Sequence, residues 1–175
     1  MLEKLKERIG YFLLNRQIGK ENYPEAAFNN FIASSDTFLL IYPKEPVEYK
    51  LANEVSNHLV SIGKIVAICL PEHKVNELPG RNKLKFLTFT EFDISKLGLP
   101  KSTYKKELAA HNYDVVIDLN LAENLFASAV ANYIESKFRI GFIKQYSDLY
   151  YNFQLPNQIN NENSYRNLLN SFRMF

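Results

Sequence analysis

Two periodicities divide this chain. Residues 2–16 repeat apolar positions at helical spacing, with Leu2, Leu5, Ile9, Phe12 and Leu13 on one side and Lys4, Lys6, Glu7 and Arg8 on the other. Gly19 and Pro24 interrupt this pattern, and a short helix is expected over 24–34. From residue 37 the pattern changes to short apolar runs, with weak alternation over 83–89, separated by amphipathic stretches. "TFLLIY" (37–42), "KIVAICLP" (64–71), "KLKFLTF" (83–89), "YDVVIDLN" (113–120) and "FRIGFI" (138–143) read as strands, most of them covered on both faces. Between them, 47–63, 101–112 and 125–136 read as helices, and 161–175 closes the chain as another. Residue 63 is a glycine suited to ending the first of these.

Strands alternating with helices predict a single doubly wound, mostly parallel α/β sheet of Rossmann-like form. The expected organisation is an amphipathic helical segment over 1–35, the α/β domain over 36–156, and a linker and helix over 157–175. The helix over 125–136 carries Ala127, Ser128, Ala129 and Ala131, small side chains that let it lie close to a sheet.

Composition narrows the class. The chain has 175 residues, enough for one domain with a real core, and a net charge of +2 that gives no case for nucleic acid. The single cysteine, Cys69, lies in an apolar run and reads as a buried thiol; with no partner for a disulfide it fits a reducing compartment. The charged N-terminal stretch does not read as a signal peptide, and no run is long enough to span a bilayer. A cytoplasmic location follows as the expectation. The apolar face of 2–16 has three possible uses: packing on the domain, packing on a partner chain or a second copy, or lying on a membrane surface. His58, His73 and His111 are not spaced as metal ligands, so neither a metal nor another cofactor is expected.

Four pieces of sequence stand in a recognisable order: Tyr113-Asp114, Ile117-Asp118, Arg139-Ile140-Gly141-Phe142 and Tyr151-Asn152. Together they resemble the N-terminal, acceptor-side domain of the glycosyltransferase 9 family, the ADP-heptose lipopolysaccharide heptosyltransferases, most closely over 113–155. The resemblance implies half of a GT-B fold, with a nucleotide-sugar domain supplied elsewhere and an acceptor held at the C-terminal ends of the strands. It implies a carboxylate base in the loop after the first strand. The loop here reads Pro43-Lys44-Glu45-Pro46-Val47-Glu48, without the family's Gly-Asp pair, so Glu45 and Glu48 are the candidates. For acceptor binding it points to Lys44, Asp118, Asn120, Asn124, Ser128, Tyr151 and Asn152. From the residues alone, Asp118 at a strand end also suits capping of the next turn, and Ser128 suits packing. Arg139 would hold an acidic group or pair with a sheet-edge carboxylate.

The expected function is a glycosyltransferase-like domain, not catalytic alone and accessory to envelope polysaccharide assembly. Two alternatives stand beside it. One is a split transferase subunit, whose partner chain carries the nucleotide-sugar domain. The other is a non-enzymatic interaction or membrane-surface module.

Overall fold

The computed structural model describes residues 2–18 and 30–174, and the side chains of 2–4 are outside the description. Its centre is a six-stranded sheet in the order β3-β2-β1-β4-β5-β6, every neighbouring pair parallel. The strands are β1 (Thr37–Ile41), β2 (Ile65–Pro71), β3 (Lys85–Phe89), β4 (Asn112–Asp118), β5 (Glu135–Phe142) and β6 (Phe153–Leu155). The chain starts in the middle, steps outward through β2 and β3, then returns to β4 beside β1 and steps out the other way. This is the doubly wound arrangement, here fully parallel.

The continuous apolar runs have a simple cause. Side chains alternate across a strand, so a strand covered on both faces needs apolar residues at every position. In β1, Phe38 and Leu40 enter one core and Leu39 and Ile41 the other. The first core is roofed by α2 (Phe31–Ser34), α3 (Tyr49–Ser61) and α6 (Asn161–Met174). The second lies under α1 (Leu2–Ile18), α4 (Ser102–Leu108) and α5 (Leu125–Tyr133). Tyr165, Leu168 and Phe172 of α6 are buried in the first core, and the Tyr165 hydroxyl donates to the Leu119 carbonyl at 2.6 Å. The C-terminal helix is thus part of the domain's own packing.

Several boundaries differ from the sequence expectation. Helix α5 ends at Tyr133, not 136, because β-branched Ile134 turns extended and Glu135 and Ser136 pair with Asn112 and Tyr113 of β4. Helix α4 is only seven residues long, and His111 already leads into β4. Strand β6, which the sequence did not announce, is held by a side chain. Asn152 accepts from the Arg139 amide at 2.8 Å and donates to the Lys137 carbonyl at 2.9 Å, completing the edge of β5 before β6 begins. Of the helix expected over 24–34, residues 24–29 lie outside the described residues, and Phe31–Ser34 is helical.

The largest correction concerns α1. Tyr11 and Leu14 are buried against the domain, beside the buried Gly10. Leu5, Ile9 and Phe12, which the sequence placed on the apolar face, point outward, and Leu13 is half-buried. The reason is close packing: a Cβ on Gly10 would collide with the Leu125 side chain and sit 2.9 Å from the Leu97 carbonyl oxygen. The glycine lets α1 approach α5, and the apolar stripe falls on the opposite side.

Candidate functional site

In an open α/β sheet the loops part where neighbouring strands lead to helices on opposite faces, and a crevice opens at the C-terminal ends there. In this protein that point lies between β1 and β4, since β1 leads to α3 and β4 to α5. A crevice of about 730 Å³ occupies it and extends over the ends of β2 and β3. Tyr42 and Lys44 line it after β1, His73 after β2, and Phe89 to Phe92 after β3. The start of α5, from Glu123 to Ala127, forms a wall, and Glu7 of α1 reaches the same space.

Two side chains hold this opening. Asn124 caps α5 by accepting from the Ala127 amide at 3.1 Å, and its amide group donates to Asn120 Oδ1 at 3.0 Å. Asn120 Oδ1 also accepts from the Lys44 amide at 2.9 Å, so one side-chain oxygen ties the loop after β1 to the head of α5. Glu123 accepts from the Tyr11 hydroxyl at 2.7 Å and from the Tyr146 amide at 3.0 Å. The Tyr11 ring stacks on Tyr146 with centroids 4.2 Å apart. Helix α1 is therefore latched to the crevice wall. The lining is partly aromatic: Phe89 and Phe126 have centroids 4.5 Å apart, and Phe92 stands 85% exposed.

Beside the crevice lies a different arrangement, closed to solvent. Asp118 is fully buried at the end of β4. One carboxylate oxygen accepts from the Asn120 backbone and side-chain amides at 3.0 and 2.7 Å. The other accepts from Lys144 Nζ at 2.7 Å and the Tyr151 hydroxyl at 2.5 Å. All the acceptor capacity of a carboxylate is thereby engaged. Lys144 donates again to the Asn120 carbonyl at 2.9 Å, and Ser128 shares a hydrogen bond with the Tyr151 hydroxyl at 3.3 Å. Burial first, and the Asp118 charge second, push the Tyr151 hydroxyl well above its ordinary pKa, so it stays a donor. Gly141 makes the geometry possible, because a Cβ there would lie 2.7–2.9 Å from the Tyr151 ring.

The expected site residues thus separate into groups. Lys44 and Asn124 line the crevice. Asp118, Asn120, Ser128 and Tyr151 come together, but in the buried network. Asp118 caps the following turn through the Asn120 amide, as its strand-end position suggested. Asn152 is engaged at the sheet edge. Glu45 is exposed on the loop after β1 and is not among the lining residues. Glu48 is buried, and its Oε1 accepts from the Asn161 side chain at 3.2 Å. Burial, then the Glu45 charge, raises the Glu48 carboxyl above its usual pKa. Arg139 caps the end of α5, donating to the Ala131 and Ile134 carbonyls at 2.9 and 3.2 Å.

Sequence reasoning missed Lys144, Glu123 and the aromatic wall. Lys144 carried a usable signal, a lone cation directly after a buried parallel strand that neighbours an Asp-ended one. Phe89 and Phe126 carried none, since an aromatic on a strand or helix reads as core. Cys69 is an inert core thiol, its pKa pushed up to about 12 by burial. Of the histidines, His73 lines the crevice, while His58 stacks on Phe172 and His111 on Tyr113. Among the described residues no three His, Cys, Asp or Glu side chains gather as a metal site, and no helix is long and apolar enough to cross a membrane.

The fold and crevice define a Rossmann-like α/β domain with a ligand-sized opening at its switch point. Residues 6–171 match the model of a family described as of unknown function (DUF6913), and the chain belongs to that family. No curated protein and no solved structure matches it.

Proposed function

We propose that this protein is a sugar-binding relative of the acceptor half of GT-B glycosyltransferases, accessory to envelope polysaccharide assembly and holding its ligand in the switch-point crevice without catalysing transfer alone. The observation that carries this reading is the crevice itself. It combines aromatic surface from Phe89, Phe92 and Phe126 with polar groups from Asn124, Glu91 and His73. Aromatic faces suit the apolar faces of pyranose rings, and amides and carboxylates suit their hydroxyls. Its carboxylates, Glu7, Glu72, Glu91 and Glu123, disfavour phosphates and favour a neutral or amino sugar. Of the residues the resemblance implies for acceptor binding, Lys44 and Asn124 line this space, which supports the reading. Neither Glu45 nor Glu48 lines it, and this supports a binding role over a catalytic one.

The test is a titration of isotope-labelled protein with methyl glycosides of hexoses, heptoses and hexosamines, read by amide chemical shifts. Saturable shifts are expected in 44–45, 89–92 and 123–127 for at least one glycoside. Glu91→Trp, at an exposed lining position, is expected to abolish them while changing stability by no more than about 0.5 kcal/mol. No saturable shift with any glycoside, or shifts centred elsewhere, would overturn the proposal.

A further inference from the structure

Helix α1 carries two faces of opposite use. Its inner face is already occupied by the domain through Gly10, Tyr11 and Leu14. Directly opposite, Leu5, Ile9 and Phe12 stand 57%, 42% and 67% exposed, and the row continues to exposed Arg16. Spacings of four, three and four keep these residues in one line along the helix. Exposed Lys6 and Arg8 flank the line. Within residues 5–18 the one carboxylate, Glu7, reaches the crevice lining and so leaves the outer face to cations. The outer face is therefore an apolar ridge with basic edges, held rigidly because the inner face is packed and Tyr11 is latched to Glu123.

Charge decides what covers this ridge. A second copy would bring Lys6, Arg8 and Arg16 against the same three cations. An anionic lipid surface satisfies both features: the apolar side chains enter the headgroup boundary and the cations meet the phosphates. We propose that the outer face of α1 docks this protein on an anionic bilayer, lying in the interface without crossing it. Three apolar side chains give reversible attachment that depends on acidic lipid. The proposal stands independently of the sugar-binding reading, since no residue of the ridge or its basic edges lines the crevice.

Sedimentation with vesicles tests it, using phosphatidylcholine alone and phosphatidylcholine mixed with phosphatidylglycerol. The whole protein is expected to sediment with the mixed vesicles, weakly with the neutral ones, and less as salt rises. Phe12→Asp is expected to lower the affinity about tenfold or more. The paired change Lys6→Gln with Arg8→Gln should lower it about fivefold per charge and flatten the salt dependence. All three positions are exposed, so thermal unfolding of the variants should match the parent, which separates lost docking from lost fold. Equal binding to neutral vesicles, no binding to mixed ones, or unchanged binding by Phe12→Asp would overturn the proposal. So would a dimer in sedimentation velocity that Phe12→Asp dissociates, which would give the ridge to a second copy.

Discussion

The two halves of the sheet end differently. At the ends of β4 and β5 the space is closed: Asp118, Lys144, Tyr151 and Asn120 satisfy one another out of water. At the ends of β1, β2 and β3 the space is open, with about 730 Å³ lined by aromatics and carboxylates. The residues that carry the glycosyltransferase resemblance lie almost wholly in the closed half or at its edges. Asp114 shows the same behaviour at the other end of β4, accepting from the Asp36 and Thr37 amides and the Thr37 hydroxyl at 2.9 Å each. Motif residues in this chain keep strands and loops in place. Lys44 and Asn124 apart, the open half is built from residues that the resemblance did not mark.

This contrast predicts a gradient of effects. The largest belongs to Lys144→Met, which leaves the Asp118 carboxylate buried without its cation. Such a break costs about 3–5 kcal/mol, and urea unfolding should show it as a lowered midpoint. Replacing both partners with apolar residues should recover much of that loss, because the uncompensated charge is then gone. Gly141→Ala comes next, since the added methyl meets the Tyr151 ring at 2.7 Å; about 1–3 kcal/mol is expected, measured in the same way.

Across the divide, Asn124→Ala removes the cap of α5 and the link to Asn120. A loss of about 1 kcal/mol is expected by thermal unfolding, with amide shifts confined to 120–128. A smaller effect depends on pH. The folded state raises the Glu48 pKa, so it binds that proton more tightly than the unfolded chain does. Stability from this group is greatest below the ordinary value of 4.5 and falls as pH rises through the folded value. Glu48→Gln removes this term, so the variant's melting temperature should gain on the parent's as pH goes from 4 towards 8. A gain in the opposite direction would mean that the buried Glu48 carboxylate is favoured in its charged form.

The sheet was legible because burial on both faces leaves a plain mark. Four largely apolar runs and the weakly alternating 83–89 gave five parallel strands, and the loops after β1 and β4 meet through Lys44 and Asn120. Strand β6 escaped because three residues held by an asparagine side chain carry no periodicity. The face of α1 escaped for a different reason. Hydropathy pointed to Leu5, Ile9 and Phe12, but Gly10 decided which side could come close to α5. At the site, Asp118, Asn120, Ser128 and Tyr151, four of the residues the resemblance pointed to, share one buried network. Their closure was not legible, because it depends on Lys144 arriving from beyond β5.

The central claim is that ligand binds the open half and the closed half serves the fold. A crystal structure grown with a saturating glycoside identified by the titration tests it most directly. The account predicts the sugar against Phe89, Phe126 and Asn124, with the Lys144–Asp118 pair still at hydrogen-bonding distance. A sugar in contact with Asp118, with Lys144 or Tyr151 displaced, would contradict it.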